Sequence, residues 1–172
     1  MRRSAITALV GVAVLLLAGV SAAHAQGAWD RYKPGSLHDV EEAGLEELAT
    51  FLSPDGPRTA LSGHDHPTRA RVVYTGESRG MTAGAAELIG LWVRAFGHAA
   101  ETESLFQKEL LFREDGRAFW LPVQEPLVAH LETLEPGSPV MLYVIWLGAR
   151  RESGGQFVGL FVVNEFDEGA SR

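Results

Sequence analysis

The chain has 172 residues, 46% of them hydrophobic, with 15 Lys and Arg against 22 Asp and Glu and no cysteine. That is enough apolar material for a single domain with a real core. A net charge of −7 without a basic stripe argues against nucleic acid as a partner. The absence of thiols excludes disulfides, a lipoprotein anchor, thiolate metal sites and a cysteine nucleophile.

Met1-Arg2-Arg3 precedes an apolar stretch from Ala5 to Val20, and Ala23-His24-Ala25 follows. A basic start, an apolar run and a small-x-small site describe a secretory signal peptide, cut between Ala25 and Gln26. The rival is a retained anchor, but the stretch from Ile6 to Ala23 falls short of the roughly 20 residues that span a bilayer. The expected protein is therefore exported, periplasmic or extracellular, with no membrane association after cleavage. Loss of Arg2 and Arg3 leaves 13 Lys and Arg against 22 Asp and Glu, a net charge of −9. Residues 26–35 read as an extended lead-in whose Trp29 and Tyr32 are exposed, residues 36–167 as one globular domain, and residues 168–172 as a flexible tail.

Ser36 reads as an N-cap for a helix over residues 37–52. Leu37, Val40, Leu45, Leu48 and Leu52 recur at helical spacing, with Glu41, Glu42, Glu46 and Glu47 on a solvated face. Ser53-Pro54-Asp55-Gly56-Pro57 ends it. Residues 58–68 read as a polar loop containing His64-Asp65-His66, and residues 69–75 as a short strand whose arginines mark an edge or a solvated face. Gly76-Glu77-Ser78-Arg79-Gly80 then reads as a loop into a helix over residues 82–96, capped by Thr82 and stopped by Gly97.

Asp115-Gly116 marks a tight hairpin over residues 105–123, with Glu114 facing Arg117 as an ion pair, Phe112 facing Phe119, and Leu110 facing Leu121. Pro126 opens a short helix over residues 126–134. A second hairpin covers residues 139–165. Its first strand is apolar on both faces, so it must be covered on both, and Gly159 in its second marks a bend or bulge. The fold class is α+β: a small curved antiparallel sheet or a partly open OB-like barrel, with two amphipathic helices and a short one. Five strands with a helix between the third and fourth is the element order of an OB-type barrel. The helix over residues 82–96 departs from that order.

Four groups of residues carry chemistry on paper. Gly76-x-Ser78-x-Gly80 matches the nucleophile elbow of α/β-hydrolases, with Asp115 and His130 following in hydrolase order. That motif needs a central parallel strand, and no strand is expected before Thr68 to flank one. His64 and His66 have the spacing of two metal ligands but need a third, from His38, His98 or His130. His130, beside apolar residues, is expected to be partly buried. Glu109, across from Trp120 and Pro122, suits either a general acid of raised pKa or a carboxylate in water or paired with arginine. Trp120, Tyr143 and Trp146, with Phe157 and Phe161, form either a stacking platform or simply core. With no complete catalytic set visible, the expectation is a non-catalytic binding or assembly module, without a cofactor, for an envelope protein or a small ligand. The alternatives are a small serine hydrolase at Ser78 or a metal-binding protein at His64 and His66.

Overall fold

The structure, a computed structural model, describes residues 29–52, 56–152 and 154–168. The expected signal peptide of residues 1–25, residues 53–55 and the expected tail after Glu168 lie outside the described residues. The elements are β1 (Lys33–Pro34), α1 (Leu37–Leu48), β2 (Thr59–Gly80), α2 (Ala83–Ala95), α3 (Glu101–Ser104), β3 (Phe106–Glu114), β4 (Arg117–Gln124), α4 (Glu125–Leu131), β5 (Pro139–Arg151) and β6 (Phe157–Glu168). Among the described residues the architecture is α+β, a six-stranded mixed sheet with four helices.

The first hairpin forms in the expected register. Asp115 and Gly116 both take positive φ, 48° and 84°, as a two-residue turn of this hand requires. Glu114 then faces Arg117, Phe112 faces Phe119 and Leu110 faces Leu121. The ion pair expected across the tip does not form. The Glu114 carboxylate turns instead to the start of α1, accepting from Ser36 Oγ (2.9 Å), Leu37 N (2.9 Å) and His38 N (3.0 Å). A carboxylate there meets the unpaired N–H groups and the positive end of the helix. Ser36 does cap α1, accepting from Asp39 N. Glu114→Ala should therefore destabilise the domain by about 1–3 kcal/mol, and hydrogen exchange should accelerate first at Leu37 and His38. Unchanged exchange at those two amides would show that the helix end does not depend on Glu114.

The second hairpin pairs β5 with β6 and is also as expected in outline. Both faces of β5 are covered: Val140, Leu142, Val144 and Trp146 join one core cluster, and Ile145 and Leu147 are buried on the other face. α1 and α2 both pack on this strand. Gly159 is not the bulge. It pairs with Ala149 in register, and the irregularities lie next to it in β5, between Trp146 and Gly148, and at residues 143–144. What requires a glycine at 159 is the Trp146 indole, which lies where a Cβ would go.

The largest difference from expectation is β2. It is a strand of 22 residues, not seven. Residues 59–73 pair with β5 and residues 73–80 pair with β3, so β2 bends from one neighbour to the other. The segments expected to be loops, around His64 and around Ser78, are strand interrupted by register shifts between Leu61 and His66 and between Tyr74 and Ser78. Such irregularities accommodate residues that do not alternate. The arginines mark a solvated face and not an edge: Arg69 and Arg71 are exposed between buried Ala70 and Val72. Sequential pairing β2–β3–β4–β6–β5, with β5 returning to β2, makes the sheet ring-like. The main cluster fills its interior, with Leu37 and Leu48 of α1 and Val128 and Leu131 of α4 packed into it.

Two further expectations change. Tyr32 is only 3% exposed; its ring meets Tyr143 edge-on at 5.5 Å and its hydroxyl accepts from Asn164 Nδ2. Thr82 precedes α2 in N-cap geometry but makes no cap hydrogen bond, because its hydroxyl is given to Glu109. Gly97 does end the helix region, at φ 68°.

Candidate functional site

The ring has one weak seam. β4 and β6 run parallel and pair at a single position, Val123 with Val163. From there toward the start of each strand no backbone ladder joins them. Side chains bridge instead. Gln124 Nε2 donates to Asn164 Oδ1 (2.8 Å) beside the one pair. Glu41, from α1, reaches into the opening: its Oε1 accepts from Gly159 N of β6 (2.7 Å) and its Oε2 from Arg117 Nη2 of β4 (2.7 Å). Arg117 also meets His38. Glu41 was expected on the solvated face of the helix and is instead 5% exposed, because Leu37, Glu41, Gly44 and Leu48 form the buried face of α1. Glu42, Glu46 and Glu47 are exposed as expected.

The opening is a cleft of about 370 Å³. β4 supplies the wall from Arg117 to Leu121, β6 supplies Val158 and Gly159, and Glu41, Arg79, Arg150 and Glu152 complete it. Each arginine is partly neutralised. Arg79 Nε lies 2.5 Å from Glu109 Oε2 and its guanidinium stacks 4.2 Å from the Trp120 ring. Arg150 holds Glu152 at 3.3 Å and reaches Thr82 Oγ1 at 3.3 Å, yet its buried Nε has no hydrogen-bond partner. An unsatisfied buried donor on a charged group costs about 1–3 kcal/mol or more. The cleft is small-molecule sized and rich in fixed donors.

The residues singled out by sequence are spread over the molecule. Glu109 is fully buried and is held by Arg79 and by Thr82 Oγ1 (3.1 Å), the arginine-paired arrangement. Trp120 is half-buried on the cleft wall. Trp146 is 1% exposed, wedged between Gly44 and Gly159, and presents no face to a ligand. Tyr143 lies outside the cleft and donates to Asp167 Oδ2 (2.8 Å); burial and that bond push its hydroxyl pKa up. Ser78 lies on the antiparallel stretch of β2 opposite Leu110. Asp115 is at the hairpin tip, and His130 is a mostly exposed side chain whose Nε2 is 2.6 Å from Glu168 Oε1. His130 was expected to be partly buried; its side chain points out because Leu127, Val128 and Leu131 make the core-facing side of α4. Among the described residues no hydrogen bond links Ser78, Asp115 and His130.

His64 and His66 flank the irregular part of β2 and each lies 3.6 Å from a different oxygen of Glu47. The other described histidines go elsewhere: His38 to Arg117, His98 against Trp92 at 4.2 Å, His130 to Glu168. Among the described residues no group of three or more ligand side chains is arranged to hold a metal ion, and no described helix is long and apolar enough to cross a membrane. Sequence reasoning missed Arg117, Arg150 and Glu41. Comparison with protein-family models, with curated proteins and with solved structures returned no match to this chain.

Proposed function

We propose that the protein is an exported binding module whose ligand is held in the cleft between β4 and β6 of an OB-type ring. Strands β2 to β6 make the ring in the order β2–β3–β4–β6–β5, and along the chain α4 falls between the third and fourth of these strands. OB folds are five-stranded, partly open barrels that take ligands on the face of their second and third strands, flanked by the loops after the first and fourth. This cleft has the third ring strand as one wall, Arg79 at the end of the first, and Glu152 just after the fourth. α2, between the first and second, is an addition to that plan. Export rests on the basic and apolar leader, and the acidic balance of the chain argues against nucleic acid.

The observation that carries this reading is the seam: a ring joined at one residue pair beside a 370 Å³ cleft with three arginines and an indole in its lining. Well-placed Arg and Trp residues dominate binding energy at such sites. The test is recovery of bound material after the mature protein is incubated with an envelope extract and repurified, read by mass spectrometry. Arg117→Ala and Trp120→Ala should each reduce recovery of a specific ligand at least tenfold, while Tyr143→Phe, outside the cleft, should not. Equal recovery by all four proteins would remove the cleft as the binding site.

A further inference from the structure

The cleft walls are two strand edges, and the hydrogen-bond phase of each can be read from the structure. The first hairpin closes through a two-residue turn between Glu114 and Arg117, which makes those two a hydrogen-bonded pair. In an antiparallel ladder bonded and non-bonded pairs alternate. Phe112 with Phe119 and Leu110 with Leu121 are therefore bonded, while Ala118 and Trp120 direct their N–H and C=O groups away from β3, toward the cleft. Pro122 is in the same phase and has no N–H to spend. Across the cleft, Gly159 N bonds Glu41 rather than β5. Glu152 N bonds Gln156 O in the adjoining turn, so Phe157, in phase with Gly159, also points its backbone groups at the opening. Among the described residues no strand pairs with β4 over Arg117–Leu121 on that side.

We propose that the cleft takes an extended peptide segment, whose backbone pairs with the free edge of β4 at Ala118 and Trp120. The inference rests on the binding-module reading and names its ligand class. An exposed strand edge is satisfied by another strand, which is how several peptide-binding folds work. The free edge spans about three residues, roughly 10 Å of extended chain, so the segment is short. The charged lining is balanced, with Arg79 paired to Glu109, Arg117 to Glu41 and Arg150 to Glu152, so the segment needs no net charge.

The phase of the edge gives a specific test. Ala118→Pro removes the donor aimed at the cleft and spares the β3 ladder, as Pro122 already does four residues further along the same strand. Random heptapeptides displayed on phage are selected on the wild-type mature protein, and the enriched sequences are synthesised for calorimetric titration. The expected winners bind Ala118→Pro at least tenfold more weakly, and lose binding when alternate peptide nitrogens are methylated. Circular dichroism and the unfolding midpoint of Ala118→Pro show whether the fold is kept. If Ala118→Pro unfolds, the methylated peptides decide on the wild-type protein alone. No enrichment, or winners indifferent both to methylation and to the folded variant, would overturn the proposal. Neutral oligosaccharides that bind wild type but not Trp120→Ala would overturn it as well, while leaving the cleft as the binding site.

Discussion

Gly148→Ala is expected to be among the most damaging single substitutions in the protein. Gly148 has φ 146°, and a Cβ there would overlap the Ala60 carbonyl oxygen and approach Leu61 Cα and Ser62 N at 3.0 Å. All three obstacles are backbone, so no rotamer change relieves them. A residue held in an unfavourable φ costs on the order of 1–3 kcal/mol, and forcing extra volume into a packed site costs typically about 1–3 kcal/mol more. The loss falls on the ladder between β2 and β5, which closes the ring. Against a domain stability of about 5–15 kcal/mol, urea unfolding should show a large fall in midpoint or no cooperative transition at all. A midpoint within error of wild type would mean that the two strands are not packed at this distance.

Trp146 is the second. Its indole is 1% exposed, meets Phe161 edge-on at 5.2 Å, and fills the space over two glycines, Gly44 of α1 and Gly159 of β6. Trp146→Ala should cost about 3–5 kcal/mol, the usual range for emptying a buried aromatic site. Gly159→Ala attacks the same contact from the other side. Its methyl group would overlap the indole and press on Glu41 Cγ at 2.8 Å, so about 1–3 kcal/mol is expected. The two changes should be non-additive, because the double variant Trp146→Ala/Gly159→Ala has room for the methyl group. Strict additivity in a double-mutant cycle would show that the ring and the glycine do not touch.

Most of the secondary structure was legible where local rules act alone. The turn at Asp115-Gly116 set the register of six residues, and Ser36 and Pro126 marked helix starts because their chemistry is satisfied within a few residues. β2 was not legible, since Gly63, Pro67, Gly76 and the histidines do not alternate. Those residues are extended only because β5 and β3 lie alongside, a tertiary cause that no local window contains. Glu41 shows the same limit at the candidate site. Its four-residue spacing from Leu37 and the small Gly44 three residues on were visible, and they trace the buried stripe of α1. Carboxylates so seldom lie on such a stripe that the sequence alone favoured the wet face. What makes burial acceptable is Gly159 N and Arg117, more than seventy residues away. Arg117 could not reach Glu41 on paper because Glu114 was assigned to it, and Glu114 was free to cap α1 only in three dimensions.

The closing of the ring between β2 and β5 also sets the pace of folding. Thr59 finds Arg150 and Val73 finds Pro139, across 91 and 66 residues of chain. Contacts so far apart in sequence make loop closure costly early on, and topologies dominated by them reach the native state in milliseconds to seconds instead of microseconds. During synthesis the 22-residue first ring strand waits with one side unmatched until the last third of the chain arrives. Throughout that interval its backbone is open to whatever other extended chain it meets.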